Sequence, residues 1–213
     1  GVDFFAVTFL YEALQLRKAG ILSNILVFSP LIDEEQLAEA IENSLTITIA
    51  SREESERLIK VTQELRKTAT IHLKIDTGLG RFGLNSQELI ELAQELNSYN
   101  NIYLEGIYTH MADAAGQTAY TVRQFEIFLE TVRYLEQSGI RIPLQHCANS
   151  AVFLKYPQMH LDAVRIGTLL SGQHPVGNFE RRLSLKDPYR FKSRIVSVHL
   201  VEKGSYLGYF RTY

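Results

Sequence analysis

The sequence predicts an α/β fold: a parallel sheet whose strands are joined by crossover helices, followed by a β-rich region. Short runs of β-branched and aromatic residues alternate with longer stretches of helical period up to about residue 185. The connections between them are short, as βαβ units require. Beyond residue 185 that alternation stops and a period of two takes over.

Seven strands are expected, over residues 4–8, 25–29, 45–50, 69–76, 103–109, 144–147 and 163–166. A closed (β/α) barrel has eight. The count fits a barrel lacking one strand at an abrupt N-terminus, and an open doubly wound sheet is the other architecture open at this level. The helices between carry start and stop signals. A helix over residues 10–18 is followed by Gly20, which suits a left-handed cap. Residues 33–41 place Leu37, Ala38 and Ile41 at helical spacing. Ser51 opens a helix that runs through 58–67, with Glu54 at capping-box spacing. Asn85-Ser86 precede a helix over 87–96. The longest helix, 122–137, sets Phe125, Phe128, Leu129, Val132 and Leu135 on one face and stops at Gly139. Further on, 194–201 alternate as a strand, Lys203-Gly204 mark a turn and 206–213 resume as strand, which predicts a hairpin. A domain division is therefore expected between 1–185 and 186–213.

The 213 residues are 46% hydrophobic and 22% charged, ordinary globular values. A formal net charge of -2 with no basic patch argues against a nucleic-acid partner. The single cysteine, Cys147, has no partner for an internal disulfide, which fits a reducing compartment such as the cytoplasm. The longest apolar runs, such as residues 25–28, are too short to span a bilayer, and no signal-peptide pattern is present. The chain opens on Gly1 and closes on what reads as an unfinished strand, Phe210-Arg211-Thr212-Tyr213, so both ends are expected to be cuts in a longer protein.

Residues 78–83 (GLGRFG) match the dinucleotide motif G-x-G-x-x-G, with Glu105 further on where an acidic residue is wanted. The match is rejected. Its helix should open within the glycines, yet the start signals come at Asn85-Ser86. Glu105 also lies inside its strand rather than at its C-terminal end. What remains is a glycine-rich turn after a strand, flanked by Lys74, Asp76 and Arg81, on the face where barrels keep their active sites. Arg81 there is a candidate anion or phenolate donor, and a surface ion pair with Asp76 is the plainer reading. His110 follows the next strand; one histidine with one carboxylate, Asp113, is not a metal site, and no metal is expected. His146 and Cys147 are neighbours on a strand and point to opposite faces, so they cannot chelate one ion. Asn149-Ser150 and Arg165-Ile166-Gly167-Thr168 end the last two strands. They would offer one rim a hydroxyl, glycine-freed N–H groups and a helix start, which suits a phosphate dianion. Ordinary capping is the plainer reading of each motif alone.

Taken together these segments resemble the alanine racemase family, whose members bind pyridoxal 5'-phosphate on a barrel. The resemblance runs through Glu12-Ala13-Leu14 and Arg17, 72–83 (HLKIDTGLGRFG), 105–113 (EGIYTHMAD), 146–151 (HCANSA), 162–167 (DAVRIG) and 208–213 (GYFRTY), in family order over nearly the whole chain. It implies a (β/α)8 TIM-type barrel truncated by its first strand over 1–185, and the start of a β-rich C-terminal domain over 186–213. It implies that Ser150 and Asn149, with the backbone of Gly167 and Thr168, hold the cofactor phosphate. Arg165 would face the pyridine nitrogen, buttressed by His146. A guanidinium keeps its proton, so that nitrogen would stay unprotonated and the cofactor would be a weaker electron sink. Arg81 would reach the phenolic oxygen, oriented by Lys74, a lysine carbamylated in some members. Tyr209, assisted by His110, would be one of two acid–base groups, working in the partner's site of a head-to-tail homodimer.

The other acid–base group of the family is a lysine in a K-A-x-A-Y-G motif on the first strand, and that motif is absent from these residues. Members usually read Tyr-Gly after the Arg165 strand, whereas this chain reads Ser171-Gly172, a departure that bears on substrate preference. The activity implied is interconversion of L- and D-alanine, supplying D-alanine for the cell wall, with the present residues alone inactive. Competing readings are a serine or broad-specificity racemase of the same family, a non-catalytic pyridoxal-phosphate barrel, and a metal-dependent aldolase or dehydratase. The predicted hairpin and Tyr209 argue against the non-catalytic barrel. A membrane module, found in some members, would lie outside this sequence.

Overall fold

The computed structural model describes residues 2, 4–116, 118–177 and 183–211. Six strands form one sheet: β1 (Phe4–Val7), β2 (Asn24–Val27), β3 (Thr46–Ile49), β4 (Ala69–Lys74), β5 (Ile102–Tyr108) and β6 (Leu144–His146). Every neighbouring pair is parallel and the spatial order is the chain order. A doubly wound sheet must reverse its strand order at a switch point. This sheet never does, and it curls as a half-barrel.

Helices α1 (Leu10–Lys18), α2 (Glu34–Glu42), α3 (Arg52–Leu65), α4 (Ser86–Leu96) and α5 (Thr118–Gln137) make the crossovers, and the short α6 (Ser150–Lys155) follows β6. Their starts are chemically marked. Asp33, Ser51 and Asn85 each accept a backbone N–H three residues on, as N-caps do. At Asn85 the Glu88 side chain reciprocates, completing a capping box. Glu54 instead accepts from Ala50 N, one residue before its cap.

Alternation along the strands makes two unlike faces. Ile47, Ile49, Ile71, Leu73 and Ile107 turn outward and pack with Leu37, Leu58, Leu89, Leu92, Phe128 and Leu135 of the helices. Thr46, Thr48, His72, Lys74 and His146 turn to the concave face and are buried there as polar groups. Along β4 and β5 the register slips once: Ile71 pairs with Leu104 but His72 with Gly106. Glu105 is the extra residue of a β-bulge, which changes the parity of its strand. Leu104 and Ile107, three apart, therefore both join the outer core.

Three expectations need correction. The strand expected at 163–166 is reduced to one bridge, Val164 to Ala148. Its extended backbone gives way to the turn that begins at Gly167, so no ladder develops. Helix α5 starts at Thr118, four residues before the expected 122. The hairpin is not formed among the described residues: 194–201 pair with nothing, although Lys203-Gly204 do turn, closed by Ser205 N to Glu202 O at 3.1 Å. An isolated pair of strands is marginal without a third layer to pack on, and this segment leaves its side chains exposed. Thr212 and Tyr213 of the second strand lie outside the described residues.

Candidate functional site

The polar residues collect at the C-terminal ends of β4, β5 and β6. After β4 the chain makes the glycine-rich turn. Asp76 holds it by accepting from Gly78 N at 2.9 Å, Leu79 N at 2.8 Å and Gly80 N at 2.8 Å. Partial burial pushes the Asp76 carboxyl up, but those three bonds and nearby Lys74 outweigh it and hold the pKa below the ordinary value. The return of the turn is tight: a Cβ on Gly83 would stand 2.9 Å from Asp76 N, and its φ is +127°. With its carboxylate so engaged, Asp76 makes no ion pair with Arg81 among the described residues. Lys74 and Arg81 share no hydrogen bond among the described residues, since both only donate. Lys74 Nζ donates to Ile75 O at 2.9 Å, and both cations lie against the Phe82 ring, Lys74 at 5.7 Å and Arg81 at 4.9 Å from its centroid. Burial brings the Lys74 pKa down to about 8.

Helix α5 ties the turn after β4 to the one after β5. The buried Gln124 accepts from Ala112 N at 2.9 Å and donates to Thr77 Oγ1 at 3.2 Å and His110 O at 3.4 Å. Tyr120 OH reaches Gly78 O at 2.7 Å. His110 is half-buried, and burial first, then Arg165, Arg81 and Lys74, pushes its pKa down to about 4, so it is neutral near pH 7.

After β6, Cys147 turns outward and donates to Met159 O at 3.2 Å, while His146 turns inward. Asn149 Oδ1 accepts from Ala151 N and Val152 N, so its side-chain oxygen caps α6. Ser150 Oγ accepts from Gly167 N at 3.3 Å and Leu169 N at 3.5 Å, which brings the two rim motifs together. Gly167 and Thr168 are exposed, with open space where a Gly167 Cβ would stand.

Arg165 joins the motifs to the concave face. Nη1 donates to His146 Nδ1 at 2.8 Å and His146 O at 3.2 Å, and Nη2 to Thr109 O at 2.8 Å and Cys147 O at 3.4 Å. These bonds use both Nη groups and leave Nε–H outside them. The guanidinium also lies 5.3 Å from the Tyr108 ring, which stacks on His146 at 4.8 Å and 10°. Burial pushes the Tyr108 hydroxyl up to about 12, and it bonds Thr48 Oγ1 at 3.0 Å. Behind His146, Nε2 meets His72 Nδ1 at 2.9 Å, and His72 Nε2 meets Glu105 Oε2 at 3.2 Å. Thr46 Oγ1 donates to the same carboxylate oxygen at 3.1 Å.

Sequence reasoning did not single out Tyr108, His72 or Glu105 as site residues. The available signal was that His72 and Lys74 share a strand parity with Thr46 and Thr48 one strand over. Tyr209 is not brought to this rim: it is 91% exposed and no hydrogen bond or ring contact joins it to the cluster among the described residues. An open groove of about 420 Å³ lies on the same end of the sheet beside β1 and β2, lined by Phe9, Tyr11, Leu31 and Ile32, with none of the cluster in its wall.

Comparison with known proteins places the chain. The family described as "Alanine racemase, N-terminal domain" matches residues 1–175. Alanine racemase 1 of Oceanobacillus iheyensis is 39% identical over 100% of this chain and 57% of its own length. The alanine racemase of Methanococcus maripaludis is 37% identical over 100% of this chain and 58% of its own. Among solved structures, alanine racemase from Bacillus anthracis with bound L-Ala-P superposes with a TM-score of 0.83 at 32% identity, covering 100% of this chain and 56% of that one. Alanine racemase from Clostridium difficile in complex with cycloserine gives a TM-score of 0.84 at 32% identity, over 88% of this chain and 52% of that one. The chain thus spans a little over half the length of the curated relatives it matches. By the family match over residues 1–175, by identity along its whole length and by its sequential parallel sheet, the chain belongs to the alanine racemase family.

Proposed function

We propose that the protein carrying this sequence is a pyridoxal-phosphate-dependent alanine racemase, and that the rim after β4, β5 and β6 is its cofactor site. One observation supports this most: Arg165 is pinned through both Nη groups to His146 and to three carbonyl oxygens, with Nε–H in no hydrogen bond among the described residues, beside a rim where the Ser150 hydroxyl meets the Gly167 backbone. A fixed cation next to a hydroxyl and the exposed backbone of Gly167 and Thr168 suits a phosphorylated pyridine ring. Ser150 and the backbone of Gly167 and Thr168 would hold the phosphate, with Asn149 setting the start of α6. Arg165 would donate to the ring nitrogen and Arg81 to the phenolic oxygen. Bound there, pyridoxal phosphate supplies the electron sink that makes a Cα proton removable. His110, neutral in its half-buried place, would assist Tyr209, which in this reading moves that proton in the partner subunit's site of a head-to-tail homodimer. In this reading the enzyme is cytoplasmic and acts on free amino acids; among the described residues no helix is long and apolar enough to cross a membrane.

The test has two arms. The longer protein, supplied with pyridoxal phosphate, should convert L-alanine to D-alanine and back, and a panel including serine measures its substrate preference. Cofactor binding without racemisation of any amino acid would replace this reading with a non-catalytic barrel. The 213 residues alone should bind the cofactor without a covalent link, and borohydride should trap no unique lysine. One lysine labelled stoichiometrically would overturn the assignment.

A further inference from the structure

We infer that Glu105 is a positioning residue for Arg165, acting through His72 and His146 as a one-directional chain of hydrogen bonds that keeps His146 an acceptor. The inference rests on the reading of Arg165 as the group that faces the bound ring.

The direction of the chain follows from its ends. A guanidinium only donates, so His146 Nδ1, 2.8 Å from Arg165 Nη1, must offer its lone pair. Burial and the neighbouring Arg165 hold His146 neutral, so its one N–H is on Nε2 and points at His72 Nδ1, 2.9 Å away. His72 is likewise held neutral by burial, against the pull of Glu105, and must carry its N–H on Nε2. That N–H reaches Glu105 Oε2 at 3.2 Å. A carboxylate only accepts, so the chain ends on the one kind of group that satisfies it. Reverse the tautomers and His146 Nδ1–H faces an Arg165 N–H, donor against donor. Arg165 and Glu105, at the two ends, thus favour the same pair of tautomers, and Glu105 adds to the preference that lets His146 accept from Arg165.

Two further observations show that the fold is built around this chain. Glu105 is the extra residue of the bulge between β4 and β5, and its carboxylate meets Thr46 and His72 of the concave face. Gly106 follows it directly opposite His72, where a Cβ would stand 2.5 Å from His72 Nε2. Any larger residue there would press the ring away from Glu105.

The experiment reads the tautomers of isotope-labelled histidine by long-range nitrogen–proton NMR in the longer protein, in parent, Glu105→Gln, Glu105→Leu and Gly106→Ala forms. In the parent, His72 and His146 should both be Nε2–H. Glu105→Gln keeps an acceptor and should keep both tautomers. Glu105→Leu should shift population toward Nδ1–H at both rings, speed exchange of the Arg165 side-chain protons and weaken pyridoxal phosphate binding about tenfold. Gly106→Ala should do the same with Glu105 present. An Nδ1–H tautomer at either ring in the parent overturns the inference, and that measurement stands even if a variant fails to fold. Unchanged tautomers and cofactor affinity in Glu105→Leu overturn it as well. A parent that shows both Nε2–H rings yet binds no pyridoxal phosphate defeats the proposed function while leaving the chain of bonds in place.

Discussion

Burying an ammonium strips the water that stabilises its charge. Lys74 is 1% exposed and, among the described residues, has a single acceptor, Ile75 O. Burial is the first cause of its lowered pKa; Asp76 opposes it, while Arg165 and Arg81 add to it. The folded pKa is about 8 and the ordinary value 10.5, so between them the unfolded chain binds the proton more tightly. Stability should therefore rise as pH climbs through that window, with the whole penalty, roughly 3 kcal/mol, present below it. Lys74→Met removes the charge and keeps much of the volume. It should be more stable than the parent near neutral pH, with the advantage shrinking as pH rises from about 8 to 10.5. Urea unfolding of both proteins across that range checks this, and a pH-independent difference would show that no charge is buried at Lys74.

Capped helix starts and most strand ends were legible because their signals are local, whereas α5 begins four residues ahead of the expected 122. Asp33, Ser51 and Asn85 mark helix starts by the chemistry of one side chain, and the strands β1 to β6 fall within two residues of the expected ranges. What escaped depends on neighbours. The bridge at Val164 and the unpaired 194–201 carry sound strand patterns, but a ladder needs a partner in register. The Glu105 chain escaped because simple alternation cannot foresee a bulge. Arg17 shows the same limit at the opposite end of the sheet. Its Nε donates to Asn43 O at 3.0 Å, Nη1 to Ile21 O and Ser23 O at 2.8 Å each, and Nη2 to Ser44 O at 3.0 Å. One side chain thus ties the loop after α1 to the C-terminal end of α2, where Ser44 turns left-handed at φ 51°. Arg17→Ala leaves four carbonyl oxygens without that donor and should cost about 3 kcal/mol. Arg17→Lys should recover little, because an ammonium cannot spread over four acceptors as the planar fork does. Equal stability of the lysine variant and the parent in urea unfolding would refute this account.

At the scale of the whole molecule, the surface holds two invitations to associate. Among the described residues β1 pairs only with β2, and β6 gains no second ladder beyond β5, so the curled sheet has two open edges. Such edges template pairing with another chain. The segment after the barrel also presents Val196, Val198 and Leu200 at alternate positions, each more than 80% exposed, with Phe191 fully exposed nearby. Contiguous apolar surface of this kind marks a site of association, and a net charge of -2 offers little repulsion against it. The 213-residue chain should therefore sediment as a concentration-dependent mixture rather than as one monomer. Val198→Lys puts a charge in the middle of the apolar row without touching the barrel. It should weaken association by at least about tenfold, the equivalent of keeping one valine-sized group in water. Sedimentation velocity over a wide concentration range separates the outcomes. A parent that stays monomeric throughout refutes the prediction, and a lysine variant that associates like the parent transfers the contact from the segment to the sheet edges.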